Sequence, residues 1–168
     1  MVDWEDDNKR MMKRVKANDP VALSKMGRIR YNKGDFDGAF EYWTKAAELG
    51  DPTAHYNLGN RYHHGQEVLK NEEKAVYHWE KAAIGGHPDA RHNLACIEAE
   101  NGNMERSVKH FIIAAKLGLE DSMKALWGHY SLGNVTKEDL DATLRTHQAA
   151  IDETESAQRD AADLAFPS

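Results

Sequence analysis

The chain has 168 residues, and its 28 acidic against 22 basic side chains give a net charge of −6, which argues against a nucleic-acid phosphate backbone as main partner. With 40% hydrophobic and 30% charged residues it is expected to fold in water as one domain. No apolar stretch approaches the roughly 18 residues of a membrane span. Cys96 stands alone and no secretory h-region opens the sequence, so a reducing compartment is expected, cytoplasm or nucleoplasm, with no membrane partner.

The first element, residues 1–18, is expected to be a helical extension. Asp3, Glu5, Asp6 and Asp7 precede Lys9, Arg10, Lys13, Arg14 and Lys16, an order that suits a helix dipole and reads as a solvated helix rather than a nucleic-acid patch. Met11, Met12 and Val15 lie on its apolar side. Asp19-Pro20, Asp51-Pro52 and His87-Pro88 then mark helix starts, because proline suits the first helical turn and the residue before it resists helix. Residues 19–50 form a first repeat, with helix A near Val21 to Tyr31, a turn at Gly34-Asp35 and helix B near Phe36 to Leu49. Residues 51–86 form a second, in which Asn71 caps helix B and Gly85-Gly86 ends it. Residues 87–118 form a third, turning at Asn101-Gly102-Asn103.

A degenerate fourth repeat covers residues 119–151. Its helix B opens after Thr136, so Asn134-Val135-Thr136, although it fits a glycosylation sequon, reads as a helix-start turn. No glycine follows Ala149-Ala150, and the helix is expected to run to Asp152 or beyond with Leu140, Leu144 and Ile151 on one face. Residues 152–168 are expected to be a capping helix or tail that frays at Phe166-Pro167-Ser168.

The repeats rest on two recurring patterns. On helix A the pattern is Ala22-x-x-x-Met26-Gly27, Ala54-x-x-x-Leu58-Gly59, Ala90-x-x-x-Leu94-Ala95 and Ser122-x-x-x-Leu126-Trp127, in steps of 32, 36 and 32 residues. On helix B it is Ala39-x-x-x-Trp43-x-x-Ala46-Ala47, Ala75-x-x-x-Trp79-x-x-Ala82-Ala83, Ser107-x-x-x-Phe111-x-x-Ala114-Ala115 and Ala142-x-x-x-Thr146-x-x-Ala149-Ala150. Steps of this length suit stacked helix-turn-helix units, so the expected fold is all-α, a right-handed α-solenoid. Small residues on helix A let another helix approach, and Trp43, Trp79 and Phe111 are expected to fill the gaps between adjacent hairpins. His78 is expected to be an exposed ring.

The run from Asp51 to Tyr62 (DPTAHYNLGNRY), followed by Val68, Asn71, Lys74-Ala75, Trp79, Ala83 and Gly86-His87, resembles the Sel1-like repeat, a relative of the tetratricopeptide repeat. The resemblance covers about residues 19–151 and extends to members found in algae, some of them beside a RING-like zinc module for which this chain has no cysteine set. Glu67 replaces a turn glycine, Asn71 replaces an aspartate, and the turns of the first and third units are shortened.

The resemblance implies a non-enzymatic adaptor that binds a protein or extended peptide on the concave helix A face. The corresponding positions are Ser24, Arg28 and Tyr31; Tyr56, Asn60, His63 and His64; His92, Cys96 and Glu100; and Asp121 with Lys124. Spacings of three and four put each set on one helical face, and together they are expected to form a continuous groove of Tyr, His, Arg and Asn side chains. No phosphate loop, nucleophile elbow or His-Glu-x-x-His motif occurs, and no cofactor is expected. The alternative is metal or small-ligand binding near His63, His64 and His92, although no two of the nine histidines stand three or four apart.

Overall fold

A computed structural model describes residues 4–165. Among them every regular element is an α-helix: α1 (Trp4–Lys16), α2 (Pro20–Asn32), α3 (Phe36–Glu48), α4 (Pro52–His64), α5 (Glu72–Ile84), α6 (Pro88–Glu100), α7 (Met104–Lys116), α8 (Glu120–Ser131) and α9 (Lys137–Ala165). Phe166, Pro167 and Ser168, the expected frayed end, lie outside the described residues. The chain divides into two compact units, Met1–Ala90 and Arg91–Ser168.

In the first unit α2, α3, α4 and α5 each start at a side-chain cap. Asp19 and Asp51 stand in extended backbone ahead of Pro20 and Pro52, and their carboxylates accept the N–H groups of Ala22 (3.0 Å) and Ala54 (2.7 Å). Each bond satisfies an amide that the first helical turn leaves without a carbonyl. Asn71 does the same for Lys74 at the start of α5. Gly50 and Gly86 turn the chain out of α3 and α5 at φ of 85° and 86°, a conformation that strains any side chain with a Cβ. Val15 of α1 is buried in a core with Ala22, Leu23, Met26, Trp43 and Leu58, and Met11 packs against it at the edge.

Within a hairpin, alanines and a glycine let the helices close on an indole ring. A Cβ built on Gly27 would stand 2.5 Å from Nε1 of Trp43, and one on Gly59 would stand 2.5 Å from Cδ1 of Trp79. The tryptophans therefore seat on the glycine of their own hairpin, and Trp43 also shares a buried cluster with Ala54 and Leu58 of the next one. The reason for the seat is steric: only a residue without a side chain leaves room for the flat ring. Trp43 and Trp79 are 3% and 2% exposed.

The second unit keeps this rule in α6 and α7 with both partners changed. Ala95 takes the glycine position and Phe111, a smaller ring, takes the indole position; both are buried. Its core joins these to Val108, Met123, Leu126, Val135 and Leu140. Helix α9 breaks the rule. Thr146 and Ala149 are exposed, and the buried side chains are Leu140, Thr143 and His147. Leu144, expected on the packed face, is 37% exposed. The inward face is thus about 100° of helix rotation away from the expected frame. His147, 3% exposed, is held by the carbonyl of Ala115 at Nδ1 (2.8 Å) and by Glu120 at Nε2 (3.1 Å). Beyond the half-buried Ile151 the side chains of residues 152–158 are all exposed.

Candidate functional site

The helix A face of the first unit is built on the ring seats just described. An indole N–H buried in a hairpin needs an acceptor, and the two repeats supply it differently. Trp79 Nε1 donates to Oδ1 of Asn60 at 3.0 Å, whereas Trp43 Nε1 donates to the backbone carbonyl of Ser24 at 3.2 Å. Arg28 holds the place in α2 that Asn60 holds in α4, and a guanidinium has no acceptor to offer. Phe111 in the next repeat needs no acceptor, and there the position is Cys96. Burial, and then the carboxylate of Glu100, push the Cys96 thiol above its ordinary range, away from a reactive thiolate.

The expected site residues of this unit separate into two groups. Asn60, His63, Tyr31 and Tyr56 are half-buried and engaged within the fold. His63 lies against Trp79 (5.1 Å), Tyr31 lies between Phe36 (5.1 Å) and Arg61 (4.7 Å), and Tyr56 stacks on His87 (4.3 Å). Arg28 and His64 are exposed. Burial, then the neighbouring His63, Arg61 and Lys70, lower the pKa of His64. Ser24 is buried at 5% exposure, yet it borders open space.

That space is a cleft of about 210 Å³ between α2 and the start of α4, lined by Val21, Ser24, Lys25, Arg28, Asp51, Thr53 and Asn57. Three of its walls differ in kind. Lys25 and Arg28 are exposed cations on one side of α2, Asp51 is the buried cap of α4, and Ser24 Oγ is buried without a hydrogen-bond partner.

In the second unit His92 is half-buried, with Nδ1 2.8 Å from Ser122 Oγ and its ring 5.2 Å from Phe111. Glu100, Asp121 and Lys124 are exposed, and Lys124 pairs with Asp121 at 3.7 Å and with Glu120 at 3.9 Å. Asn60 and His92 therefore support packed aromatics, and replacing either alters the fold as well as the surface.

Comparison with known proteins follows the same repeat frame. The Sel1 repeat profile matches residues 20–51, 52–87 and 88–119, more than half of the chain. The chain belongs to the Sel1 repeat family. Two solved structures are similar to it. One is a Sel1 repeat protein from Oxalobacter formigenes, 25% identical with a TM-score of 0.65, covering 81% of this chain and 59% of the other. The second is a protective antigen present in uropathogenic Escherichia coli strains that displays an SLR fold. It is 28% identical with a TM-score of 0.67, and the match covers 86% of this chain and 33% of the antigen. RNA polymerase-associated protein CTR9 of Caenorhabditis elegans is 46% identical over 50 residues, which span 28% of this chain and 4% of that protein. The fold is thus the all-α repeat solenoid of the Sel1 family, whose members are generally non-catalytic protein-interaction scaffolds.

The Sel1 repeats also bring together residues that spacing alone does not pair. His55 on α4 and His78 on α5 place their Nδ1 atoms 2.9 Å apart, and Tyr62 stacks on His78 at 5.7 Å. His78 is half-buried, which corrects the expectation of an exposed ring. Burial, then His55 and Lys74, lower its pKa from 6.5 to about 4. Among the described residues no three His, Cys, Asp or Glu side chains are placed to hold a metal ion, so the histidine-based alternative has no assembled ligand set behind it. No helix among them is long and apolar enough to cross a membrane. Lys25, Asp51 and Asn57 of the cleft were not among the expected site residues. Lys25 was legible in hindsight, one helical turn before Arg28, but Asp51 reads as a cap and Asn57 as a surface amide.

Proposed function

We propose that this Sel1 repeat protein is an interaction adaptor that takes a partner protein or an extended peptide on the helix A face of its first unit. The observation that carries the reading is the cleft between α2 and α4. Alanines and seated rings close the hairpins on either side, and the space is left open beside exposed Lys25 and Arg28. Tyr56, Asn60 and His63 of α4 are already fixed by contacts within the fold, and a pre-ordered surface loses little entropy on binding. The exposed residues Glu100, Asp121 and Lys124 belong to the second unit and extend the proposal to its helix A face.

The experiment is affinity capture with the full chain and quantitative mass spectrometry, comparing Thr53→Trp, which fills the cleft from an exposed position, with Glu41→Lys and Glu80→Lys on helices B. Partners that survive the helix B changes and vanish with Thr53→Trp support the reading. Loss with Glu41→Lys or Glu80→Lys and retention with Thr53→Trp would move the function to the opposite side of the hairpins.

A further inference from the structure

The chemistry of the cleft narrows what enters it, and this step rests on the reading that the helix A face binds a partner. Lys25 and Arg28 sit one helical turn apart on α2, and neither makes an ion pair among the described residues, in a chain that carries six more acids than bases. Two exposed arginines of the same unit are different: Arg14 bonds Asp19 and Arg30 bonds Asp35, each across a helix boundary. Ser24, which lines the space, is 5% exposed, and its buried Oγ has no hydrogen-bond partner, so its hydroxyl is left with a bond to donate. Asn57, from α4, offers an amide that makes no side-chain hydrogen bond among the described residues.

The opposing group is Asp51. Its carboxylate accepts the N–H of Ala54 and keeps a second oxygen, so the cleft holds two cations and two neutral donors near one buried anion. A doubly charged phosphate would meet that carboxylate at close range in a part-buried space. A singly charged carboxylate attached to a backbone N–H suits both ends, because the cations take the acid and Asp51 takes the N–H. Val21, exposed at the rim, lies where it can cover the methylenes of such a side chain. A volume of about 210 Å³ accommodates one residue and not a folded element.

We propose that the α2/α4 cleft is a subsite for one acidic residue of an extended peptide, the carboxylate held by Lys25, Arg28 and Ser24 and the backbone N–H by Asp51 or Asn57. Such charge-assisted contacts favour Glu over its neutral isostere, by about tenfold for a difference of roughly 1.4 kcal/mol.

The test is amide NMR titration of the full chain with four probes: N-acetyl-glutamate methylamide, the glutamine analogue, sodium acetate and N-acetyl-phosphoserine methylamide. The glutamate probe is expected to shift the amides of Ser24, Lys25, Arg28 and Asn57, with the glutamine analogue about tenfold weaker. Lys25→Gln with Arg28→Gln should abolish the difference, and Ser24→Ala should reduce it; should Ser24→Ala fail to fold, the double glutamine variant alone decides, because both its positions are exposed. Equal binding of glutamate and glutamine overturns the proposal. So does acetate shifting the same amides at equal concentration, which would mean an adventitious ion only, or a stronger response to phosphoserine. If these fail while Thr53→Trp still removes captured partners, the acidic subsite is wrong and the helix A face stands. If Thr53→Trp has no effect, the face itself is wrong.

Discussion

The second and fourth hairpins solve the same packing problem with opposite chemistry. In α4 and α5 a glycine receives an indole: Gly59 has no side chain, Trp79 fills the room, and Asn60 takes the indole proton. In α8 and α9 the glycine position is Trp127, which is 49% exposed beside Tyr130, and the ring position is Thr146, also exposed. Packing there depends on Leu140, Thr143 and the hydrogen-bonded His147. A repeat that loses its ring thus keeps its hairpin only by turning a different face inward and anchoring it through polar contacts.

The sharpest way to break this comparison is to remove the two tryptophans in turn. Trp79→Ala is expected to destabilise by about 3–5 kcal/mol, the range for a buried aromatic, while Trp127→Ala stays within about 1 kcal/mol. Denaturant melts of both variants check it, and equal losses would show that Trp127 is a core residue after all. His147→Ala is expected to cost about 1–3 kcal/mol, since a buried ring is lost together with its bonds to the Ala115 carbonyl and Glu120. If urea melts of His147→Ala match the parent, the polar anchor of α9 is dispensable.

Glycine substitutions sharpen the same contrast with opposite signs. Gly59→Ala pushes a methyl into the Trp79 ring and should cost about 1–3 kcal/mol. Gly128→Ala in α8, where a Cβ meets nothing within 4 Å, should instead stabilise by about 0.5–1 kcal/mol through helix propensity. Thermal melts of the pair give the two directions, and a loss at Gly128 would mean that α8 is more closely covered than its surface suggests.

The smallest expected effect is a pH dependence confined to the first unit. His78 has its pKa lowered from 6.5 to about 4 in the folded protein, and His55 is lowered as well, chiefly by burial. The unfolded chain therefore binds protons first as pH falls, so the contribution of neutral His78 is present above about 6.5 and is lost towards about 4. Lys74, Lys81 and Asp51 are the charged groups acting on this pair, and only Asp51 favours its protonation. His78→Gln should flatten the decline of Tm between those pH values. An unchanged slope would assign the decline to other groups.

What the sequence determined was local and periodic. Asp-Pro caps, glycine exits and steps of 32 to 36 residues placed the helices, because a cap or a turn needs only neighbours a few positions away. The pairing of small residues with rings was legible for the same reason, although not that the partners share one hairpin. Tertiary structure decided the rest. His55 meets His78 across 23 positions, His147 meets Ala115 across 32, and Ser24 is buried at the edge of a cleft whose other wall begins at Asp51. No repeat period encodes those meetings. They follow from which face each helix turns inward, and that is set by how rings and small residues fill the space between helices.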